Sequence, residues 1–295
     1  MPFNINNSEA YLPWREHKLK HAITHIDELL VEIKNPLAIT IAEQKELLTH
    51  CQRSNMVVYA SHVEMDEHML QQFAAQLGLT HLDANWLAGE QGITRITICK
   101  GEGPRQSYIP YTDRAIKWHT DGYYNPPDRR IHGMLLHCAQ SAGEGGDNRV
   151  MDHEIAYLML RDANPDFIRA LSAPDVLTIP ERVDAQDGIR PAQNGPVFSL
   201  NKTGQLHMRY TARTRSIEWK QDELSRAAVA YLEQLLSSES PYIHSLHLSN
   251  SMGLLCNNVL HERTAFQDDP LKPRLLYRAR YLQRLTSASE ALIAQ

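Results

Sequence analysis

Three times in this chain a histidine is followed two residues later by an aspartate: His25-Ile26-Asp27, His81-Leu82-Asp83 and His119-Thr120-Asp121. An imidazole and a carboxylate are two of the three donors of a 2-His-1-carboxylate site. Such a site covers one face of an octahedral divalent iron and leaves three positions open for co-substrate and oxygen. A His-x-Asp pair can chelate on extended backbone, where residues i and i+2 project to the same side; on a helix they point about 200° apart. Backbone context therefore decides among the three pairs. His25 and Asp27 fall between Arg15 and Ile33, where Leu19, Ala22, Ile23, Ile26, Leu29, Leu30 and Ile33 recur at helical spacing and predict a helix closed by Asn35-Pro36. His81 and Asp83 follow the helix stop Gly78 in a loop with no other candidate ligand nearby. His119 and Asp121 lie between Ile116-Lys117-Trp118 and Gly122-Tyr123-Tyr124, a stretch of extended character in which Gly122 permits close approach.

The third donor must come from a distant strand. His261 directly follows the apolar run Gly253 to Leu260. A histidine at the end of a buried strand is, by itself, more often structural than a ligand. What singles out His261 is the segment after it, Arg274-Leu275-Leu276-Tyr277-Arg278-Ala279-Arg280-Tyr281. As a strand, it puts Arg274, Arg278 and Arg280 on one face and Leu275, Tyr277, Ala279 and Tyr281 on the other. The bland reading is an edge strand with a solvated basic face. The alternative aims Arg274 and Arg278 into a pocket, where planar guanidinium groups bind carboxylate or sulfonate bidentately. Taken with His119, Asp121 and His261 in that order, the alternative is favoured.

These residues need a scaffold of short strands. Helices are expected over Ile41 to Cys51, opened by the capping box Thr40 and Glu43, over Asp66 to Leu77, Asp152 to Leu160, Pro165 to Leu171 behind Asn164, and Asp222 to Leu236. Strands are expected at Met56 to Tyr59, Ile93 to Cys99, Ile131 to Cys138, Pro196 to Leu200, Leu206 to Tyr210, Tyr242 to Leu248, Gly253 to Leu260 and Leu275 to Leu282. The fold class that follows is mainly β with helical additions around a double-sheet jelly roll. The organisation is one domain: a helical cap with an edge strand over 1–90, a jelly-roll core over 91–284, and a tail over 285–295.

Composition narrows the partners. Hydrophobic residues at 42% supply a sizeable core, and 30 basic against 35 acidic residues, without basic runs, argue against nucleic acid or an anionic membrane. Met1 to Trp14 has no secretory layout and no eighteen apolar residues run together, so a cytoplasmic protein is expected, acting on a small molecule, with homo-oligomerisation left open. The four cysteines are widely separated and form no Cys-x-x-Cys pair, which suggests neither a disulfide framework nor a zinc ribbon.

Trp118 to Gly122, Cys138 through Gly143-Glu144-Gly145-Gly146-Asp147, and Asn257-Asn258-Val259-Leu260-His261 with the arginine strand together resemble the taurine dioxygenase family of Fe(II)/2-oxoglutarate oxygenases. The resemblance covers residues 90–284. It implies a double-stranded β-helix (cupin-like) core with iron at one mouth, His119, Asp121 and His261 as iron ligands, and Arg274 as anchor for the distal carboxylate of 2-oxoglutarate. Arg278 falls where relatives of anionic-substrate specificity place a substrate arginine. Where the family often has Thr or Ser after the Gly-Gly-acidic stretch, this chain has Asn148, whose amide can donate to 2-oxoglutarate. The interval from His261 to Arg274 is slightly long, which leaves an exchange of roles between Arg274 and Arg278 open. Tyr123 and Tyr124 are the nearest aromatic candidates for substrate contact. The implied reaction consumes O2 and 2-oxoglutarate, releases succinate and CO2, and hydroxylates a small or medium acidic or zwitterionic substrate. Two rivals use the same residues: a zinc-dependent hydrolase, and a non-catalytic iron/2-oxoglutarate sensor.

Overall fold

The strand Gly133–Gln140 sends Met134, Leu136 and Cys138 to one side and Leu135 and His137 to the other, and all five are buried. A strand buried on both faces requires a layer on each side. In the computed structural model, which describes residues 1–83, 89, 92–99, 108–184, 188–215 and 217–285, both layers are present. We number the principal strands β1 (Leu30–Ile33), β2 (Met56–Ser61), β3 (Thr94–Ile96), β4 (Ile116–His119), β5 (Gly133–Gln140), β6 (Asn148–Met151), β7 (His244–Leu246), β8 (Met252–Cys256), β9 (Leu260–Arg263) and β10 (Leu275–Tyr281). Among the described residues they form a six-stranded sheet, β1-β2-β8-β5-β10-β3, and a four-stranded sheet, β7-β6-β9-β4. All pairings in the two sheets are antiparallel except β1 with β2.

Three apolar clusters define the layers. Between the sheets, Met56, Val58, Met134, Leu136, Leu254 and Leu276 of the large sheet meet Val150, Leu246 and Val259 of the small sheet side. Each such side chain contributes about 1.5–3 kcal/mol by leaving water. The outer face of the large sheet, with Val57, Tyr59, Leu135, Leu255 and Tyr277, is covered by helices α2 (Ile41–Ser54) and α3 (Glu67–Ala75) through Leu47, Leu70 and Phe73. The third cluster joins Met151 and Leu260 to α4 (His153–Ala163), α5 (Pro165–Leu171) and α6 (Glu223–Ser237). The expected caps are in place: Thr40 with Glu43 opens α2, and Asp66, Asp152, Asn164 and Asp222 each accept a first-turn N–H.

Two expectations fail for physical reasons. The predicted helix Arg15 to Ile33 is instead helix α1 (Ser8–Lys20), a 3-10 turn Ile26–Leu29 and strand β1. Leu29, Val31 and Ile33 are buried while Leu30 and Glu32 are exposed, so a period of two operates where one of 3.6 was read, and pairing with β2 overrides helical spacing. The expected strand Gly253 to Leu260 is two strands, β8 in the large sheet and β9 in the small, because Asn258 adopts φ 54° and turns the chain from one to the other. The expected tail beyond residue 285 lies outside the described residues.

One buried charge cluster ties the termini of these elements together. The Lys18 ammonium, from the helix Ser8–Lys20, lies 2.6 Å from both Asp152 and Glu154 at the start of α4. Asn55 donates to Asp152 at 2.8 Å and is itself met by Arg284. Burial opposes ionisation of Glu154, but Lys18, His153 and Arg284 outweigh it and hold its carboxyl down at about 2. A depressed carboxyl stabilises the fold above its unfolded value near 4.5, and that contribution is lost as pH falls toward 2. Removing the cation strands two buried carboxylates, so Lys18→Ala should lower stability by about 3–5 kcal/mol at neutral pH. Urea denaturation at pH 7 and pH 3 checks this, with the difference between wild type and variant shrinking at the lower pH.

Candidate metal centre

Strands β4 and β9 run antiparallel with His119 directly opposite His261, and the two rings lie 4.2 Å apart centre to centre. Each imidazole is oriented by its own strand: Nδ1 of His119 bonds the Lys117 carbonyl at 2.9 Å, and Nδ1 of His261 bonds that of Val259 at 3.0 Å. A nitrogen facing a carbonyl carries the proton, so Nε2 of each ring keeps its lone pair. Thr120 faces away and is buried, exchanging hydrogen bonds with the backbone of Tyr210. The alternation of an extended chain then returns Asp121 to the side of His119.

Asp121 is held by its backbone. Its N–H donates to Asn258 Oδ1 at 2.7 Å, and its carbonyl accepts from Asn258 Nδ2 at 3.0 Å, which also reaches the Ile131 carbonyl at 2.8 Å. Gly122 has φ 67°, and a Cβ there would sit 2.4 Å from Ile131, so this turn requires glycine. The result is that one ligand atom from each of His119, Asp121 and His261 lies within 4.8 Å of the others.

The electrostatics suit a cation. Burial, with His261 adding to it, pushes His119 down to about 3, and burial lowers His261 as well, so both rings are neutral at pH 7. Burial alone would raise Asp121, but Arg278 and Arg280 outweigh it and hold the carboxyl well below its usual range. One carboxylate oxygen accepts from Arg278 Nη1 at 3.1 Å; the other, Oδ2, is buried without a hydrogen-bond partner. Such an oxygen is costly to desolvate alone, and a metal ion would complete it.

The arginine strand proves to be interior. β10 lies between β5 and β3, Leu276 packs between the sheets, and Tyr277, Ala279 and Tyr281 face the opposite cluster. The solvated-edge reading therefore fails, and the basic face turns to the mouth between the sheets: Arg274 and Arg280 are buried and Arg278 is nearly so. Arg274 makes no ion pair with a described residue; its guanidinium lies over the Phe266 ring, and burial pulls it down to about 10, still cationic at neutral pH. Gly146, at φ 76°, gives it room, since a Cβ there would approach Arg274 Nε to 3.3 Å. Two residues on, Asn148 is buried with its Nδ2 unpartnered. A buried guanidinium without an acid among the described residues and an idle amide donor fit an acid such as 2-oxoglutarate.

The remaining candidates separate. Tyr123 is packed in the core, with its hydroxyl accepting from Arg213 at 3.1 Å, whereas the half-buried Tyr124 accepts from Arg280 Nη1 at 2.7 Å. His25 caps the exposed 3-10 turn, and its exclusion stands on exposure and not on a helix. His81 is exposed, but Asp83 is buried against Arg280 at 2.7 Å and Arg129. Sequence reasoning left three roles unassigned: Asn258 as the clamp on Asp121, and Asp83 with Arg280 as a buried pair behind Tyr124. Asn258 stood within the Asn-Asn-Val-Leu-His motif, so its proximity to His261 was the available signal.

Among known proteins, the chain is 28% identical over 172 residues to a uridine-5'-phosphate dioxygenase from Amycolatopsis sp, a match spanning 56% of this chain and 60% of that enzyme. A uridine-5'-phosphate dioxygenase from Streptomyces sp is 29% identical over 194 residues, covering 62% and 68% of the two chains. The fold is similar to that of the non-haem iron oxygenase OrfP solved with Fe, succinate and (3R,4R)-dihydroxy-L-Arg, with a TM-score of 0.61 at 15% identity over 93% of this chain and 94% of that one. The family model described as taurine catabolism dioxygenase TauD, TfdA family matches residues 25–280. With its jelly roll and clustered His119, Asp121 and His261, the chain belongs to the TauD, TfdA family of dioxygenases.

Proposed function

We propose that this protein is an Fe(II)- and 2-oxoglutarate-dependent dioxygenase that hydroxylates a small acidic or zwitterionic molecule, with iron on His119, Asp121 and His261. The observation that carries the reading is the pairing of two unsatisfied sites. A buried carboxylate oxygen stands beside two free imidazole nitrogens, and the chain also buries an arginine without an acid among the described residues and an idle amide. A zinc hydrolase would use the first and leave the second without a purpose. When bound, Fe(II) and 2-oxoglutarate supply the oxidising chemistry, consuming O2 and releasing succinate and CO2.

The chain's own residues do the rest. His119 and His261 present neutral nitrogens without a proton to displace, and Asp121 contributes one negative charge that Arg278 holds through a single oxygen. Arg274 grips the distal carboxylate of 2-oxoglutarate and Asn148 Nδ2 donates to a second oxygen of it. The rest of Arg278, whose Nε is buried without a partner, is turned toward an acid group of the substrate. Tyr124 lines the substrate side and Tyr123 braces it from the core. The uridine phosphate and arginine derivatives named for the relatives and the similar structure both carry acid groups, which agrees with an acidic or zwitterionic substrate.

Anaerobic addition of Fe(II) and 2-oxoglutarate should give a weak visible charge-transfer band, lost in His119→Ala, Asp121→Ala and His261→Ala and kept in His25→Ala and His81→Ala. A band that persists in the first three would overturn the ligand assignment. Metal analysis of anaerobically purified protein separates iron from zinc, and a screen for compounds that couple 2-oxoglutarate decarboxylation to product separates an enzyme from a sensor.

The two arginines should fail differently. Losing the partner of a desolvated carboxylate costs about 2–5 kcal/mol, so Arg274→Ala should raise the 2-oxoglutarate requirement of the band by roughly tenfold or more. Arg278→Ala should keep the band near normal 2-oxoglutarate and lose coupling to substrate. Swapped phenotypes would exchange the two roles.

A further inference from the structure

The buried and half-buried arginines differ in what already holds them. Arg149 is paired with Glu262, Arg280 with Asp83 and Arg278 with Asp121. Arg209 and Arg263 spend their N–H groups on backbone carbonyls. Arg190, on the strand Gly188–Arg190, is unlike these. It is half-buried and makes no ion pair with a described residue, and its Nε, like those of Arg263, Arg278 and Arg280, is buried without a partner. Its guanidinium carbon lies 5.2 Å from the centre of the Tyr124 ring.

Tyr124 is prepared for a ligand by what stands behind it. Its hydroxyl accepts from Arg280 Nη1 at 2.7 Å, and Arg280 is fixed because Nη2 is held by Asp83, also at 2.7 Å, with both side chains at or below 3% exposure. A phenol that accepts from a guanidinium in this way keeps its own proton for another acceptor. Tyr123, by contrast, is packed in the core, with its hydroxyl against Arg213 and Thr211. The place is close to the chemistry, since Tyr124 is three residues beyond Asp121, and Arg280 is among the charges that hold Asp121 ionised.

We propose that the Tyr124 hydroxyl and the Arg190 guanidinium form an oxyanion subsite for the substrate, taking a carboxylate or a phosphate monoester. The proposal rests on the Fe(II)/2-oxoglutarate reading and specifies its substrate side. A neutral acceptor would satisfy the hydroxyl but leave the guanidinium uncompensated as the substrate displaces water, whereas an oxyanion offers charge and several lone pairs to both donors.

The test uses the protein loaded anaerobically with Fe(II) and 2-oxoglutarate, and two pairs of probes measured by calorimetric titration. Uridine 5'-monophosphate against uridine reads the phosphate, and L-arginine against agmatine reads the carboxylate. At least one acid-bearing probe should bind tenfold or more tightly than its counterpart, and the pair that shows this identifies the acid. Arg190→Gln should abolish that preference, Tyr124→Phe should reduce it, and Arg190→Lys should retain part of it, while the charge-transfer band forms at the same 2-oxoglutarate concentration in all three. A preference that survives both Arg190→Gln and Tyr124→Phe, or the absence of any preference in both pairs, would overturn the subsite. A wild-type protein without the band would instead refute the iron reading beneath it.

Discussion

The architecture turns on the corner at Asn257 and Asn258. There the chain leaves the large sheet at Cys256 and enters the small one at Leu260, a change that a continuous strand cannot make. Asn258 takes the left-handed conformation at φ 54°, which asparagine tolerates better than most residues. Its side chain then bridges to the backbone on both sides of Gly122, through Asp121 and Ile131, 137 and 127 residues away in sequence. Asn257 accepts from the Leu285 N–H and donates to Asn55. One sharp turn therefore sets the passage between sheets, the position of the Asp121 carboxylate, and the closure of the C-terminal segment. Each bond contributes about 1 kcal/mol net, but their joint effect is geometric.

The arginines show how the same side chain is used for opposite ends. Arg209 is buried and saturated by the carbonyls of Tyr123, Leu177, Gln193 and Gly195, so it fastens loops. Arg263 also fastens a loop, through the carbonyls of Thr112 and Arg114, and lies against one ring, Phe266, that also lies under Arg274. Arg274 alone of these is buried with no side-chain hydrogen bond to a described residue. A charge kept in a low-dielectric setting without partners is destabilising, and proteins retain that kind of cost where a ligand will offset it.

The layered β fold was legible because its strands carry the two-residue period and its helices carry caps, and Thr40 with Glu43 or Asn164 before Pro165 locate a boundary to the residue. The clustering of His119, Asp121 and His261 was legible once His119-x-Asp121 was read with its extended context. What sequence could not show is which face of β10 looks inward: alternation separates Arg274, Arg278 and Arg280 from their neighbours but is the same for an edge strand and an interior one. Helical spacing misled at Leu29 to Ile33, where a short apolar segment satisfies both periods and only the partner strand β2 decides. Asp83 was read as half of a weak metal pair because nothing local reveals that its partner, Arg280, is 197 residues distant.

The opposition of His119 and His261 across β4 and β9 also bears on the order of events during folding. Two donors that belong to strands so far apart along the chain meet only after the small sheet has zipped, and contacts of this kind form late because loop closure must precede them. Before that, the chain offers metal at most the His119-x-Asp121 pair, without the third donor. Iron capture then follows assembly of the jelly roll, and binding afterwards acts as a staple across the two strands, slowing their separation more than it speeds their meeting.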